Sequence, residues 1–326
     1  MKAVIVPGYG APEVLKLVSV PKPKLGPDEL LVKTKSVPVS AADMFLRAGK
    51  PYLGRLFLGL RRPKANIPGT CFSGEVVDLG QEVEGFNLGD RVFGLTGLQF
   101  GTYAEYFVVK VPGVVLKMPD DLPYDEASVF CDGHTTSYNF LTQLVNIKKG
   151  DQLLINGASG ALGTSAIQMA KHYGAHVIAV CSEKNHGLAR SLGADEVIDY
   201  RKEDFLNSEK QYDIIYDTVG KLKFRAAKKV LKEAGVYLSP VLTFGLFIQM
   251  IITSVFGKRK AKFEATGMNK PPRLKEFLIA VLELYKMGVL KTHIDRQYAM
   301  EHIVEAHTYV EQGHKRGNVV MKIDDE

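Results

Sequence analysis

Cysteine is scarce in this chain and scattered: Cys71, Cys131 and Cys181 are its only three in 326 residues, with no CxxC pair. So sparse and odd a set supplies no disulfide framework. It points to a reducing compartment, so a cytoplasmic protein is expected. A large overall excess of charge of one sign is lacking too. The net charge is +6, which suits anionic small molecules without calling for nucleic acid. Apart from "GKRKAKF", no Lys/Arg run is interleaved with aromatics, and no nucleic-acid motif occurs. The opening "MKAVIVPGYG" predicts a strand and a turn and lacks the apolar core and cleavage site of a secretory signal. There is no internal repeat and no low-complexity segment. Nor does any apolar run reach the ~20 residues of a spanning helix. The nearest is "VLTFGLFIQMIITSVF", residues 241–256, uncharged but holding Thr, Gln, Ser and Gly, with "GKRKAK" after it. It predicts a buried or interface helix. Peripheral contact with anionic lipid through the basic tail is the second reading.

What is present is ordinary globular composition, 46% hydrophobic and 24% charged, over a length that suits two domains. Residues 1–120 are β-rich. "KAVIV", "ELLVKTKSVPVS", "CFSGEVVDLG", "DRVFGLT" and "TYAEYFVVK" are β-branched or alternating runs punctuated by Gly, Pro and Asp. The pattern then changes. "PYDEASVFCDGHTTSYNFLTQLVNI" has helical spacing, and strands alternate with helices after it. "DQLLIN", "HVIAVC", "EVIDY", "YDIIYDTVG" and "VYLSPVL" predict strands, and "AKFEATG" a further one. "ALGTSAIQMAKHYGA", "NHGLARSLGA" and "FRAAKKVLKEAG" predict helices. Short apolar strands separated by helices imply βαβ units around a parallel sheet buried on both faces. The fold class is therefore α/β, with a β-rich domain over 1–120 and a doubly wound parallel-sheet domain over 121–267. The tail, 268–326, reads as a helix followed by a strand and is expected to complete the first domain.

The strand "LLIN" runs into Ala158-Ser159-Gly160-Ala161-Leu162-Gly163, an AxGxxG turn opening a helix. Small residues here let the chain reverse tightly, the backbone approach a pyrophosphate, and the helix pack on the strand. The pyrophosphate would sit over the unpaired N–H groups at the helix start. NAD sites place a carboxylate at the end of the next strand, for the ribose 2′-hydroxyl. That position is Cys181, with Glu183 two residues beyond. A thiol does not repel a 2′-phosphate, Ser182 can donate to it, Lys184 adds positive charge, and Tyr200 a hydroxyl. NADPH is the expected cofactor.

The order of elements, with "SLGADEVIDYRKEDF", "YDTVG", "GTYAEY" and "GHKRGNVV", resembles the medium-chain dehydrogenase/reductase superfamily nearly end to end. Within it, the chain is most similar to the zinc-independent quinone oxidoreductase and enone reductase branch. Residues 241–260 are its least typical piece. The resemblance implies a GroES-like catalytic domain, a Rossmann NADP-binding domain, an active site in the cleft between them, and a homodimer. It also bears on metal. The three catalytic zinc ligands of the alcohol dehydrogenases fall on Ser40, Thr70 and Asp132, beside Cys131, so no metal is expected. The structural-zinc lobe with its four cysteines is absent as well. Without a Lewis acid, hydride transfer to a quinone or an α,β-unsaturated carbonyl is the easier chemistry.

By the same resemblance, Tyr52 is a donor to the substrate oxygen, and Ser40 and Asp43 stand at the start of the active-site helix. The Ser-x-x-Asp spacing is equally a capping box. Thr136 falls near the nicotinamide, and Val219, Gly220 and Ser239 beside its ribose. Asn318 falls where many relatives have lysine. His134 is weighed as an acid against a hydrogen-bonded structural role, and the basic "LRRPK", 60–64, against a solvated loop. Two other functions stay open: an NADP-dependent alcohol dehydrogenase without catalytic zinc, and a non-catalytic NADPH-binding protein in contact with membrane.

Overall fold

A computed structural model describes residues 1–50 and 52–323. They form two compact units: Met1–Asp132 with Gly267–Ile279 and Ile294–Glu326, and Gly133–Thr266 with Ala280–His293.

The first unit opens with β1 (Lys2–Ile5) antiparallel to β2 (Lys16–Ser19). Its main sheet is built on β3 (Glu29–Pro38), which pairs antiparallel with both β4 (Cys71–Leu79) and β6 (Tyr106–Lys110). β5 (Arg91–Leu95) joins β4 to β7 (Val114–Lys117). In β3 the alternation is literal: Leu30, Val32, Thr34 and Ser36 point inward while Lys33 and Lys35 do not. Phe72 and Phe107 meet edge-on in the core at 4.6 Å.

The second unit is one parallel sheet in the order β10-β9-β8-β11-β12-β13. Its strands are β8 (Gln152–Asn156), β9 (His176–Cys181), β10 (Glu196–Asp199), β11 (Tyr212–Asp217), β12 (Leu231–Leu238) and β13 (Lys260–Lys262). The runs "LLI", "VIAV" and "IIY" are buried because helices cover both faces. The order reverses between β8 and β11, so a crevice opens beyond their carboxyl ends. The chain then supplies β14 (Ile294–Ala299), the helix Ile303–Glu311 and β15 (Asn318–Lys322). β14 and β15 pair in parallel, and β15 lies against β3.

Four elements differ from expectation. The "FRAAKKVLKEAG" helix stops at Ala227, and β12 begins at Leu231, which pairs with Tyr212. Strand pairing and burial of Val230 and Leu231 override helix propensity, and a bulge containing Ala234 at φ +67° absorbs the extra residues. Strand β14 precedes the tail helix. The run from Tyr124 to Leu144 is helical, but two of its segments, Phe130–His134 and Asn139–Leu144, are π-turns. Finally, residues 241–256 do form a helix, Phe244–Val255, but it is not buried: only Leu246 and Thr253 are.

Candidate active site

The cofactor edge belongs to the second unit. After β8, Gly157 turns at φ +80°, a conformation that side chains resist. Its N–H and that of Ala158 both donate to Val180 O at 3.1 Å, and Gly160 N–H donates to Gly157 O at 3.1 Å. Ser159 lies at the tip of this turn. The helix Ala161–His172 follows, with Gly160 at its N-cap and no acidic side chain in its first turn. The first-turn amides of Ala161, Leu162 and Gly163 have no intrahelical acceptor, which is what a pyrophosphate needs. Gly163 allows the close packing: a Cβ there would meet Gly157 O at 2.5 Å.

At the end of β9, burial pushes the Cys181 thiol up to about 11, so it is neutral. Ser182 is buried. The side-chain amide of Asn185 donates to Ser159 Oγ at 2.9 Å and to Ser182 Oγ at 3.2 Å, tying the phosphate turn to the strand end. Its Oδ1 is buried with no partner among the described residues. Sequence reading passed over Asn185, because nothing in "SEKN" marks it. Glu183 is exposed, with its carboxylate held by Lys202 at 2.9 Å. Lys184 is exposed, and Tyr200, half exposed, lies under the Arg201 guanidinium. The hydroxyls and cations fit an adenosine 2′-phosphate, although the buried carboxylate of Asp199 lies level with Cys181 on β10, and Asn185 Oδ1, an acceptor, can meet only a donor such as a ribose hydroxyl.

Beyond β11 and β12 the organising group is Asp217, also missed from sequence. Fully buried, it accepts from Asn156 Nδ2 at 2.8 Å, Leu222 N at 2.8 Å, Tyr237 Oη at 2.9 Å and Val219 N at 3.3 Å. One carboxylate thus fixes the ends of three strands and the loop that carries Val219 and Gly220. Gly220 sits at φ +72°, and a Cβ on it would meet Val241 at 2.4 Å. Ser239 Oγ accepts from Val241 N at 3.2 Å. Asp217→Ala leaves these donors unmatched, so an urea titration should show a loss of ~3 kcal/mol. A loss under ~1 kcal/mol would mean that the network is not structural. Thr136 is half-buried in the helical run. His134 takes the structural role: its Nδ1 contacts Ser165 Oγ at 2.5 Å and its Nε2 contacts Thr292 Oγ1 at 3.0 Å.

In the first unit, Ser40 caps the helix Ala41–Ala48 in a reciprocal box. Asp43 N–H donates to Ser40 Oγ at 3.4 Å, and Ser40 N–H donates to Asp43 Oδ2 at 2.9 Å. Both side chains are buried. Burial pushes Asp43 up to about 6 against those hydrogen bonds, and the charge of Asp132 adds to the rise. Tyr103 is fully buried, donates to Pro38 O at 3.1 Å and sits next to Asp43. Burial raises Asp132, although the positive charge of Lys315 opposes this. Burial lowers Lys315 in turn. Tyr103 and Lys315 were legible only as parts of "GTYAEY" and "GHKRGNVV". Tyr52 stands 68% exposed beside Arg55, and the structure does not join it to Ser40 or Asp43. Asn318 is buried at the start of β15. Arg61, Arg62 and Lys64 of the basic loop are exposed.

The donor set here does not suit zinc. The neighbouring Cys131 thiol and burial hold the Cys71 thiol well above its ordinary range. Ser40 and Thr70 offer neutral hydroxyls. No three His, Cys, Asp or Glu side chains converge as metal ligands among the described residues. A protein zinc site needs about three such donors, with thiols ionised.

Comparison with known proteins matches residues 26–120 to the alcohol dehydrogenase GroES-like domain and residues 192–321 to a zinc-binding dehydrogenase family. The 2-methylene-furan-3-one reductase of Solanum lycopersicum is 32% identical, over 98% of this chain and 79% of its own. The mitochondrial NAD(P)H oxidoreductase RTN4IP1 of Mus musculus is 31% identical, over 99% of this chain and 89% of its own. The solved quinone oxidoreductase of Coxiella burnetii superposes with a TM-score of 0.87 at 30% identity, covering 99% of both chains.

Proposed function

We propose, for a chain that belongs to the quinone oxidoreductase and enone reductase branch of the medium-chain dehydrogenase/reductase superfamily, that it reduces quinones or α,β-unsaturated carbonyls with NADPH and without zinc. One observation carries the cofactor reading: the Gly163-packed helix start joined through Asn185 to a strand end whose thiol is neutral. The names of the relatives support the rest. The mouse protein is an NAD(P)H oxidoreductase, the Coxiella protein a quinone oxidoreductase, and the tomato enzyme acts on a methylene-furanone, an alkene conjugated to a ketone.

On this reading the parallel-sheet unit, our NADP-binding domain, holds NADPH through 158–163, Ser182, Lys184, Tyr200, Val219, Gly220 and Ser239, with Thr136 as a further contact. Bound NADPH supplies hydride from C4 of its nicotinamide. The β-rich unit, our catalytic domain, serves the substrate. Tyr52, with its hydroxyl in solvent, donates to the acceptor oxygen. Ser40 and Asp43 fix the helix start, and Asp43, near pH 6, is half protonated and able to hand on a proton. With a donor set unsuited to zinc, stabilisation of the developing oxyanion falls to such hydrogen bonds. A cytoplasmic homodimer completes the reading, with β13 the sheet edge on which a second copy would pair.

The test is NADPH oxidation in chelator with an ortho-quinone and a medium-chain enone, NADH being run in parallel. Turnover should favour NADPH, and Ser182→Asp should cut NADPH efficiency about tenfold or more, one misplaced charge being worth ~1.4 kcal/mol. Activity that chelator removes and zinc restores would sink the metal-free reading. Tight NADPH binding without turnover on either acceptor would favour a binder.

A further inference from the structure

The helix Phe244–Val255 is built the wrong way round for a soluble protein. Phe244, Phe247, Ile248, Ile251, Ile252 and Val255 recur at i, i+3, i+4, i+7, i+8 and i+11, a single apolar stripe. In a globular protein such a stripe faces the core. Here every member is exposed, and Phe256 just beyond is 87% exposed. The opposite face, with Leu246 and Met250, already packs on the core. Scattered apolar side chains on a surface need no explanation, but a contiguous stripe of this size marks a surface that something covers.

Charge says what that is. Between residues 219 and 262 the chain carries ten Lys or Arg and a single acid, Glu233, while the whole protein is only +6. The cations flank both ends of the stripe. Lys221, Lys223 and Arg225 share a cavity of about 420 Å³ with Thr243, Gly245 and Leu246 at the first end. At the second, Lys260 Nζ donates to Thr253 O at 2.6 Å, next to Lys258 and Arg259. A second copy laid stripe against stripe would cover the apolar side chains but leave the cationic ends of both copies with no negative partner. Spanning is ruled out for this segment, since no helix among the described residues is long and apolar enough to cross a membrane. An anionic lipid surface offers both partners at once, apolar depth for the stripe and negative charge for the rim.

We propose that the parallel-sheet unit docks on anionic membrane surfaces, with the helix Phe244–Val255 lying in the interface plane. This goes beyond the reductase reading and does not depend on it. Pairing of two copies at the β13 edge would use backbone groups, and the stripe uses side chains.

The experiment is flotation of the purified full chain with vesicles of phosphatidylcholine alone, and with phosphatidylcholine containing phosphatidylglycerol, at about 0.1 and about 0.5 M salt. Partition onto the anionic vesicles at low salt should exceed that onto neutral ones about tenfold, and fall at high salt. Phe247→Ser with Ile251→Ser should lower it about tenfold, and so should Lys221→Gln with Lys223→Gln. Circular dichroism melts and sedimentation velocity should leave both variants folded and in the wild-type oligomeric state. Equal partition onto both vesicle types would overturn the proposal, as would stripe variants that float like wild type. So would a wild-type oligomer that the stripe variants dissociate while no flotation is seen, because the stripe would then be covered by a second copy.

Discussion

Gly163→Val should weaken NADPH binding by at least ~100-fold and cost ~2–3 kcal/mol of stability. A Cβ at this position would meet Gly157 O at 2.5 Å, and the carbonyl carbon and Cα of Ala158 at 2.6 Å each. All three are backbone atoms, so no side chain can rotate away. Relief requires the helix Ala161–His172 to move off β8, and that carries the first-turn N–H groups away from the phosphates they would hold. Gly160 makes the control. A Cβ there meets only Gly157 O, at 3.5 Å, an ordinary contact. Gly160→Ala should therefore melt like wild type yet bind NADPH about tenfold more weakly, its methyl standing where backbone must approach the pyrophosphate. NADPH fluorescence titrations and thermal melts separate the two effects. If Gly163→Val binds NADPH as the wild type does, this turn is not the cofactor site.

That glycine could be read from sequence because its constraint is local: a strand, a tight turn and a helix lie within a dozen residues, and each small residue has a mechanical reason. The β strands of both units were legible for the same kind of reason, alternation in β3 and unbroken apolar runs in β8, β9 and β11. Asp217 was not. Its role comes from Asn156, Leu222 and Tyr237, donors that only the parallel pairing brings to one point. Asn185 was hidden likewise, since what makes it matter is the distance to Ser159 across the crossover. The helix over 244–255 was legible as a helix but not in its orientation. Periodicity reports that a stripe exists, and only the position of the sheet decides which way it faces. The early end of the "FRAAKKVLKEAG" helix follows the same logic, with a non-local strand partner outweighing good helix formers. Ser40 and Asp43 were legible in full as a cap, whereas the raised Asp43 pKa depends on burial that no spacing encodes.

Acidification from pH 6.5 towards 4 should destabilise the protein, and His307→Phe should blunt the effect. Burial lowers His134 to about 4, and burial with the nearby positive Arg47 lowers His307 to about 3. Both are neutral in the folded state and would charge below about 6.5 once unfolded. The unfolded chain therefore binds more protons in this window. Stability present above pH 6.5 is lost as pH falls towards those folded values. Asp43 works the other way. Its folded carboxyl keeps a proton up to about 6. An unfolded aspartate releases its proton near 3.9, so this group gains stability as pH falls from 6 to 4. At pH 4 its contribution is worth about 2.4 kcal/mol, against ~6 kcal/mol lost through the two histidines, so the histidines decide the sign. His307 is the one to replace. Neither of its ring nitrogens has a partner among the described residues, while its ring meets Tyr103 edge-on at 6.0 Å. Phenylalanine keeps that ring contact and removes two unmatched polar atoms, a change that is neutral or stabilising at pH 7. His134, held by Ser165 and Thr292, would leave two hydroxyls behind and offers no such clean exchange. Urea titrations at pH 7 and pH 5 measure the outcome. Wild type should lose ~2 kcal/mol between them, once the gain from Asp43 is set against the two histidines, and His307→Phe should recover most of that at pH 5. Equal losses in the two proteins would mean that His307 is already protonated, or already solvated, in the folded state.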